Sequence, residues 1–349
     1  MAIGAERVLT QRELNRALLE RQFLLARRRE SLPRALERIA GIQAQYAPSM
    51  YIGLWSRLEG LERAAITRAL ERRSVIQATL MRSTIHLVSA RDYWPFAAGT
   101  RDARFESWQR AYRAKPGPRA AQAAARRVEE LLAGGPRTRA ELVEGLDGPA
   151  FSGASTRVHL VRVPPSGTWE RRRADLYGLA EHWLGPAPAM TAEEALDHLI
   201  RSYLRGFGPA SPADVASWAG MPITPVTAAL DRMELRSFRD EQGGLLVDLP
   251  RAPLPPTDTP APARFLPTWD ATLLVNCRRT QILPEEHRPK IFHVKNPQSE
   301  TTFLVDGAVA GTWKQDAKRV RLHPFGRLRR ADRDELEAEA APLADYIAG

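Results

Sequence analysis

Gln43-Ala44-Gln45 sets two primary amides one residue apart, just ahead of Pro48 and an aromatic-bearing run, YIGLW, at 51–55. Each amide carries one carbonyl acceptor and two N–H donors. Such a pair can hold a water or stabilise charge, but it supplies no carboxylate or amine as a general base. Side chains two apart on an α-helix point ~200° from each other, so these two share a site only where the chain is extended or leaving a helix. Pro48 pushes Ala47 out of the α region. The helix expected over SLPRALERIAGIQ, with Leu36, Ile39 and Ala40 on one face, therefore frays near Gly41. Two readings stay open: amides that satisfy buried backbone groups at a helix exit, or amides that project together from the segment that follows.

Stronger chemistry is missing from the sequence. It contains no Walker loop, no G-x-G-x-x-G, no H-E-x-x-H, no deaminase-type H-x-E with P-C-x-x-C and no G-x-S-x-G nucleophile elbow. The seven histidines, at 86, 159, 182, 198, 287, 293 and 323, are scattered and read as structural or surface residues. Cys277 is the only cysteine, which excludes an internal disulfide and a thiolate cluster. No metal and no cofactor is expected. No apolar run is long enough to span a bilayer and no signal-peptide pattern opens the chain, so a cytoplasmic protein without a membrane partner is expected.

The net charge of +10 favours a polyanionic partner, because Lys and Arg that neutralise phosphates release condensed counterions. Arg and Ala enrichment also accompanies a GC-rich genome, so the distribution is more informative than the total. Residues 290–330 carry nine Lys or Arg against three acids, and hold four of the five lysines.

The elements that must position these residues show an internal near-repeat. Gly135-Pro136-Arg137-Thr138-Arg139-Ala140-Glu141-Leu142 aligns with Gly208-Pro209-Ala210-Ser211-Pro212-Ala213-Asp214-Val215. In both, a hydroxyl is followed three residues later by an acid, the spacing of a helix capping box. Thr10-Gln11-Arg12-Glu13 suggests a third, divergent copy. Periodic helices precede the two clear copies at 126–133 and 193–204. TPVTAALDRM and a hairpin about Gly243-Gly244 follow the second. That order is a winged helix. A Pro-rich linker at 251–263 leads to β-like runs in FLPTWDATLLV, KIFHV, TTFLVDG and VAGTW, with KNPQSE as a polar hairpin tip and a closing helix in the tail.

The order of GIQAQYAPSMYIGLWSR, RSTIHLVSARDYWPF, the G-P-x-[ST] repeat, FLPTWDATLLVNCRRTQILPEEHR and FLVDGAVAGTW resembles the AlkZ/YcaQ-type winged-helix DNA glycosylases over roughly residues 8–325. Gln43-Ala44-Gln45 looks like that family's Q-x-Q signature, on the AlkZ-like side, and the resemblance implies that Gln43 and Gln45 are catalytic. It implies an α+β, mainly α architecture: winged-helix units at 1–118, 119–190 and 191–262, then a β domain at 263–349, forming a concave cradle for duplex DNA. Arg82, Thr84, His86 and Asp270 match the family pattern as active-site support, whereas Asn276-Cys277 departs from it. The expected partner is double-stranded DNA holding alkylated purines or crosslinks, bound by a nucleoid-associated monomer.

The implied activity is that of a monofunctional glycosylase that excises N7-alkylated purines and unhooks interstrand crosslinks. Amides suffice for such a lesion, because an N7-alkylated purine is already cationic and leaves as a neutral base. The protein need only hold a water in line and stabilise positive charge developing on the sugar. A tethered base cannot rotate fully into a deep pocket, so both glutamines are expected on an open concave face. Lys295, Asn296 and Gln298 of the hairpin tip would probe a groove, and Lys314, Lys318, Arg319 and Arg321 would meet phosphates. The rivals are a non-catalytic winged-helix transcriptional regulator and a protein-interaction scaffold.

Overall fold

In a computed structural model, which describes residues 5–112, 117–273, 279–293 and 299–349, all three marked helix starts are closed by reciprocal capping. Thr10 with Glu13, Thr138 with Glu141 and Ser211 with Asp214 open the helices Gln11–Arg21, Arg139–Val143 and Pro212–Ala219. A fourth box, Thr191 with Glu194, opens Ala192–Phe207; its T-x-x-E spacing was equally visible in the sequence. Each such cap contributes about 1 kcal/mol.

The architecture is α+β and mainly helical, with three sheets among the described residues. A six-stranded antiparallel sheet runs Ile42–Gln43, Ile85–Ser89, Val75–Thr79, Leu160–Arg162, Leu176–Leu179, Arg137–Thr138. Strands from both sides of residue 118 therefore share one sheet. The hairpin Arg236–Asp240 with Leu245–Asp248 forms as expected, and Val8–Leu9 joins it in parallel. A buried ion pair, Arg21 to Asp248 at 2.7 Å, ties the amino-terminal helix to this hairpin. The third sheet is a meander of Arg264–Leu266, Thr302–Val305, Ala308–Asp316 and Arg319–Pro324. The expected closing helix, Arg330–Ala348, buries Leu336, Leu343 and Ile347 against Phe265, Phe303 and Trp313.

The largest apolar core lies where Ala90–Ala111 packs along Ala192–Phe207, burying Tyr93, Phe96, Leu199, Ile200, Tyr203 and Leu204. Each such side chain contributes about 1.5–3 kcal/mol. The helix Ala47–Trp55 is buried along all nine residues, which explains its lack of a polar face.

Of two further expected strands, one forms only in part and the other is not formed among the described residues. In FLPTWDATLLV the strand ends at Leu266, because Asp270 accepts hydrogen bonds from the Thr272 backbone N–H and hydroxyl and turns the chain. In KIFHV, Lys290 and Ile291 end a short helix, Arg288–Ile291, with Pro289 in its first turn, where the fixed φ of proline suits a helix start. The expected hairpin tip (Lys295, Asn296, Gln298) and Asn276-Cys277 lie outside the described residues.

Candidate active site and nucleic-acid interface

The helix Leu32–Ile39 ends in two left-handed residues, Ala40 at φ 63° and Gly41 at φ 74°. A side chain at Gly41 would sit 2.9 Å from Val88 Cγ1 and 3.1 Å from the Leu87 carbonyl, so only glycine lets the chain turn here against the neighbouring strand. The turn delivers Ile42–Gln43 into antiparallel pairing, with Gln43 opposite His86. The chain leaves the helix at Gly41, as expected. Pro48, however, belongs to the first turn of the next helix, Ala47–Trp55, and so marks a helix start rather than an exit.

The two amides meet different surroundings. Gln43 is buried, a correction to the expectation that both glutamines lie on an open face; strand pairing and the Arg82 guanidinium cover it. Arg82 donates to Gln43 Oε1 at 3.1 Å. Gln45 is exposed, and its Oε1 accepts from the Ile85 backbone N–H at 3.1 Å. Both partners are pure donors, which fixes each carbonyl orientation. The Gln45 side chain thus continues a ladder that the backbone leaves after Ala44 N donates to the Ile85 carbonyl at 2.7 Å. Both amide oxygens are tied to the short segment 82–86, and each keeps a second lone pair.

Arg82 is held from three sides. It lies at φ 53° beside Ser83 at φ 58°, two left-handed residues that cost about 1–3 kcal/mol each. Its guanidinium also donates to the Trp218 carbonyl, near the C-terminal, negative end of the helix Pro212–Ala219. Gly220, at φ 77°, lets this helix end approach: a Cβ there would lie 2.8 Å from the Arg82 backbone. The repeat copy at 208–215 thereby starts the helix that anchors Arg82.

His86 Nδ1 donates to the Thr84 carbonyl at 3.0 Å, which leaves Nε2 as an acceptor 3.4 Å from Arg82. Burial, reinforced by the Arg82 charge, lowers its pKa to about 3, so the ring is neutral and cannot act as an acid near pH 7. Below pH 6.5 the unfolded chain binds a proton at this residue that the folded chain does not. Stability therefore falls with pH from 6.5 to about 4.5, before carboxylates titrate, by about 1.4 kcal/mol per unit. His86→Gln should remove that slope in denaturant titrations across this range. An unchanged slope would mean that His86 does not stay neutral in the fold.

Thr84 serves this segment through its backbone, its hydroxyl donating to the Met81 carbonyl. Asp270 makes its contacts elsewhere. It forms a bidentate pair with Arg57, both bonds 2.9 Å and both side chains at most 1% exposed. Burial would raise the Asp270 pKa, but Arg57 and the two Thr272 donors hold it below the ordinary carboxylate value. Arg57 in turn donates to the Gly53 carbonyl at 2.9 Å. Asp270 thus braces the helix that follows Gln45 and makes no hydrogen bond to either glutamine.

A sequence model of the family described as DNA glycosylase AlkZ-like matches residues 36–346. The chain belongs to the AlkZ-like DNA glycosylases. A curated relative, the interstrand DNA cross-link repair glycosylase of Streptomyces sahachiroi, is 24% identical and covers 93% of each chain. The solved structure of Streptomyces sahachiroi DNA glycosylase AlkZ superposes with a TM-score of 0.81 at 20% identity, over 98% of this chain and 97% of that one. The regulator and scaffold readings are set aside by this membership.

In this AlkZ-like glycosylase the expected basic residues sit on the outer face and turn of the last β-hairpin. Lys314 pairs across the strands with Arg321 and Asp316 with Arg319; Lys318 follows in the turn, and all five are exposed. Arg321 is ion-paired with Asp316. Lys314 also lines a cleft of about 430 Å³ with Tyr46, Trp169 and Arg172. Tyr46 directly follows Gln45, and Arg172 donates to its hydroxyl at 3.1 Å. The sequence reading missed these three. The run Trp169-Glu170-Arg171-Arg172-Arg173 was the available signal, since Arg171 and Arg173 pair with Asp175 while Arg172 makes no ion pair among the described residues. Among the described residues of the glycosylase no His/Cys/Asp/Glu cluster could hold a metal, and no helix is long and apolar enough to cross a membrane.

Proposed function

We propose that this glycosylase hydrolyses the N-glycosidic bond of cationic N7-alkylated purines in duplex DNA. The observation that carries this reading is the pair of amide oxygens, each fixed by one donor from segment 82–86. A water donating its two protons to the free lone pairs of Gln43 and Gln45 presents its own lone pair to the anomeric carbon. The same two carbonyl dipoles stabilise positive charge as it develops on the sugar. Among the described residues no carboxylate is hydrogen-bonded to Gln43, Gln45 or His86, the imidazole is neutral, and Glu300, which lines the adjoining cleft, is paired with His293, so no acid or base is coupled to the glutamines to help an unactivated base leave. The lesion's own charge fills that role.

Two finer points go beyond family membership. The curated relative is named for interstrand crosslink repair; an exposed Gln45 beside an open cleft suits a tethered base that cannot rotate into a deep pocket. Protection against a DNA-alkylating natural product is the physiological role we infer. Three capped helical repeats followed by a β domain would form the three winged-helix units and the cradle. Lys314, Lys318 and Arg319 would meet phosphates.

Purified protein should release N7-methylguanine from methylated duplex, leaving heat- and alkali-labile abasic sites, and should leave a uracil-containing duplex intact. Uracil excision at a comparable rate would show that the enzyme activates leaving groups, and would overturn the proposal.

A further inference from the structure

A second charged constellation lies away from the glutamines, on the other side of the strand that leads to Arg82. Three arginines line a cavity of about 10 Å³, room for one water-sized sphere: the exposed Arg101, and the pair Arg104 and Arg162. Both are buried, at 8% and 6% exposure. Neither forms an ion pair among the described residues. Arg104 donates to the Ser155 carbonyl at 2.8 Å, and Arg162 to the Ala174 carbonyl at 3.1 Å and the Thr79 hydroxyl at 3.0 Å. Arg104 Nε and Arg162 Nη1 are buried without any hydrogen-bond partner.

The rest of the lining supplies donors more readily than counter-charge. Tyr93 lines the same cavity, and burial pushes its phenol above the ordinary value, so it keeps its proton. Burial, with Arg162 adding to it, lowers the Arg104 pKa to about 10, which still leaves two like charges side by side at neutral pH. Glu181, a carboxylate whose charge reaches Tyr93, is bound to His159 at 2.7 Å and is 42% exposed. Arg162 stacks on the Tyr177 ring at 4.0 Å, but buried guanidiniums without a counter-ion are costly, and unpaired buried N–H groups add to that cost.

We propose that this cavity is an anion site, taking a single halide-sized ion such as chloride between Arg104 and Arg162. The volume excludes a phosphate group, and the guanidinium charge of the lining excludes a cation. The site joins the helix Ala90–Ala111 to the strand Leu160–Arg162. Through Thr79 it also supports the strand Val75–Thr79, from which the chain passes to Arg82. An ion held there would brace the segment that fixes Gln43 without touching substrate. This inference stands independently of the proposed lesion.

The test uses the full chain without DNA, at constant ionic strength, with bromide or chloride replacing bulky gluconate. The thermal midpoint should rise saturably with halide. Tyr93→Phe, which deletes one donor with little change in shape, should raise the half-saturating bromide concentration by about three- to tenfold; Arg162→Gln should abolish the response. Crystals soaked in bromide should show an anomalous peak between the two guanidiniums, a readout that does not depend on the variants folding. A midpoint that does not distinguish halide from gluconate, or cavity density with no anomalous signal, would mean a water only and would overturn the proposal.

Discussion

Replacing Gln43 and Gln45 together by alanine should slow single-turnover excision of N7-methylguanine by about 10²–10³-fold or more, the scale of losing preorganised polar groups at a reacting centre. Affinity for undamaged duplex should change less than about twofold, because phosphate contacts carry non-specific affinity and neither amide is charged. The single variants should differ. Gln45→Ala also leaves the Ile85 N–H without its acceptor, but at an exposed position where water replaces it. Gln43→Ala removes a buried side chain and frees one Arg82 donor, so it should lower stability as well as rate. The measurement is single-turnover excision alongside filter binding. A double variant that excises at the wild-type rate would remove the glutamines from the mechanism.

The second large effect concerns stability. Asp270→Asn should destabilise the fold by about 3–5 kcal/mol, because it leaves Arg57 charged, buried and without its counter-ion. That is a large share of the ~5–15 kcal/mol that holds a typical domain together. The loss should appear as a lowered thermal or denaturant midpoint, with excision per folded molecule largely kept, since Asp270 makes no hydrogen bond to Gln43 or Gln45. A variant of normal stability and abolished excision would instead make Asp270 part of the chemistry.

Local features were legible in the sequence where they depend on short-range rules. The capping boxes at Thr10, Thr138 and Ser211 and the Gly243 hairpin formed where hydroxyl–acid spacing and glycine placed them. The glutamine pair was visible as a type and a spacing. What surrounds it was not, because its partners come from distant chain positions: Arg82 across a sheet, and the Trp218 carbonyl, 136 residues beyond Arg82, from another helix. Nothing local marks a backbone carbonyl as an arginine anchor.

The two amides differ in what they satisfy: Gln43 accepts from a guanidinium, Gln45 from a backbone N–H. Gln45 satisfies a backbone N–H as an ordinary side chain at the end of a strand would, and the same hydrogen bond fixes the carbonyl for a second partner. The missed helix at Arg288–Ile291 and the early end of the strand at Leu266 have a common cause. β-branched and aromatic residues raised the strand expectation, while a proline in one segment and an Asp–Thr turn in the other overrode it.

We propose that no protein group titrates during bond cleavage: the lesion brings its own activation, and two amides position the water. The most direct test is the single-turnover rate of N7-methylguanine excision at saturating enzyme from pH 5.5 to 8. Glutamines do not ionise in this range, and His86 is held near a pKa of about 3, so the account predicts a rate that stays flat within about twofold. A bell-shaped or sloping profile with a midpoint inside that window would reveal a general acid or base and contradict it.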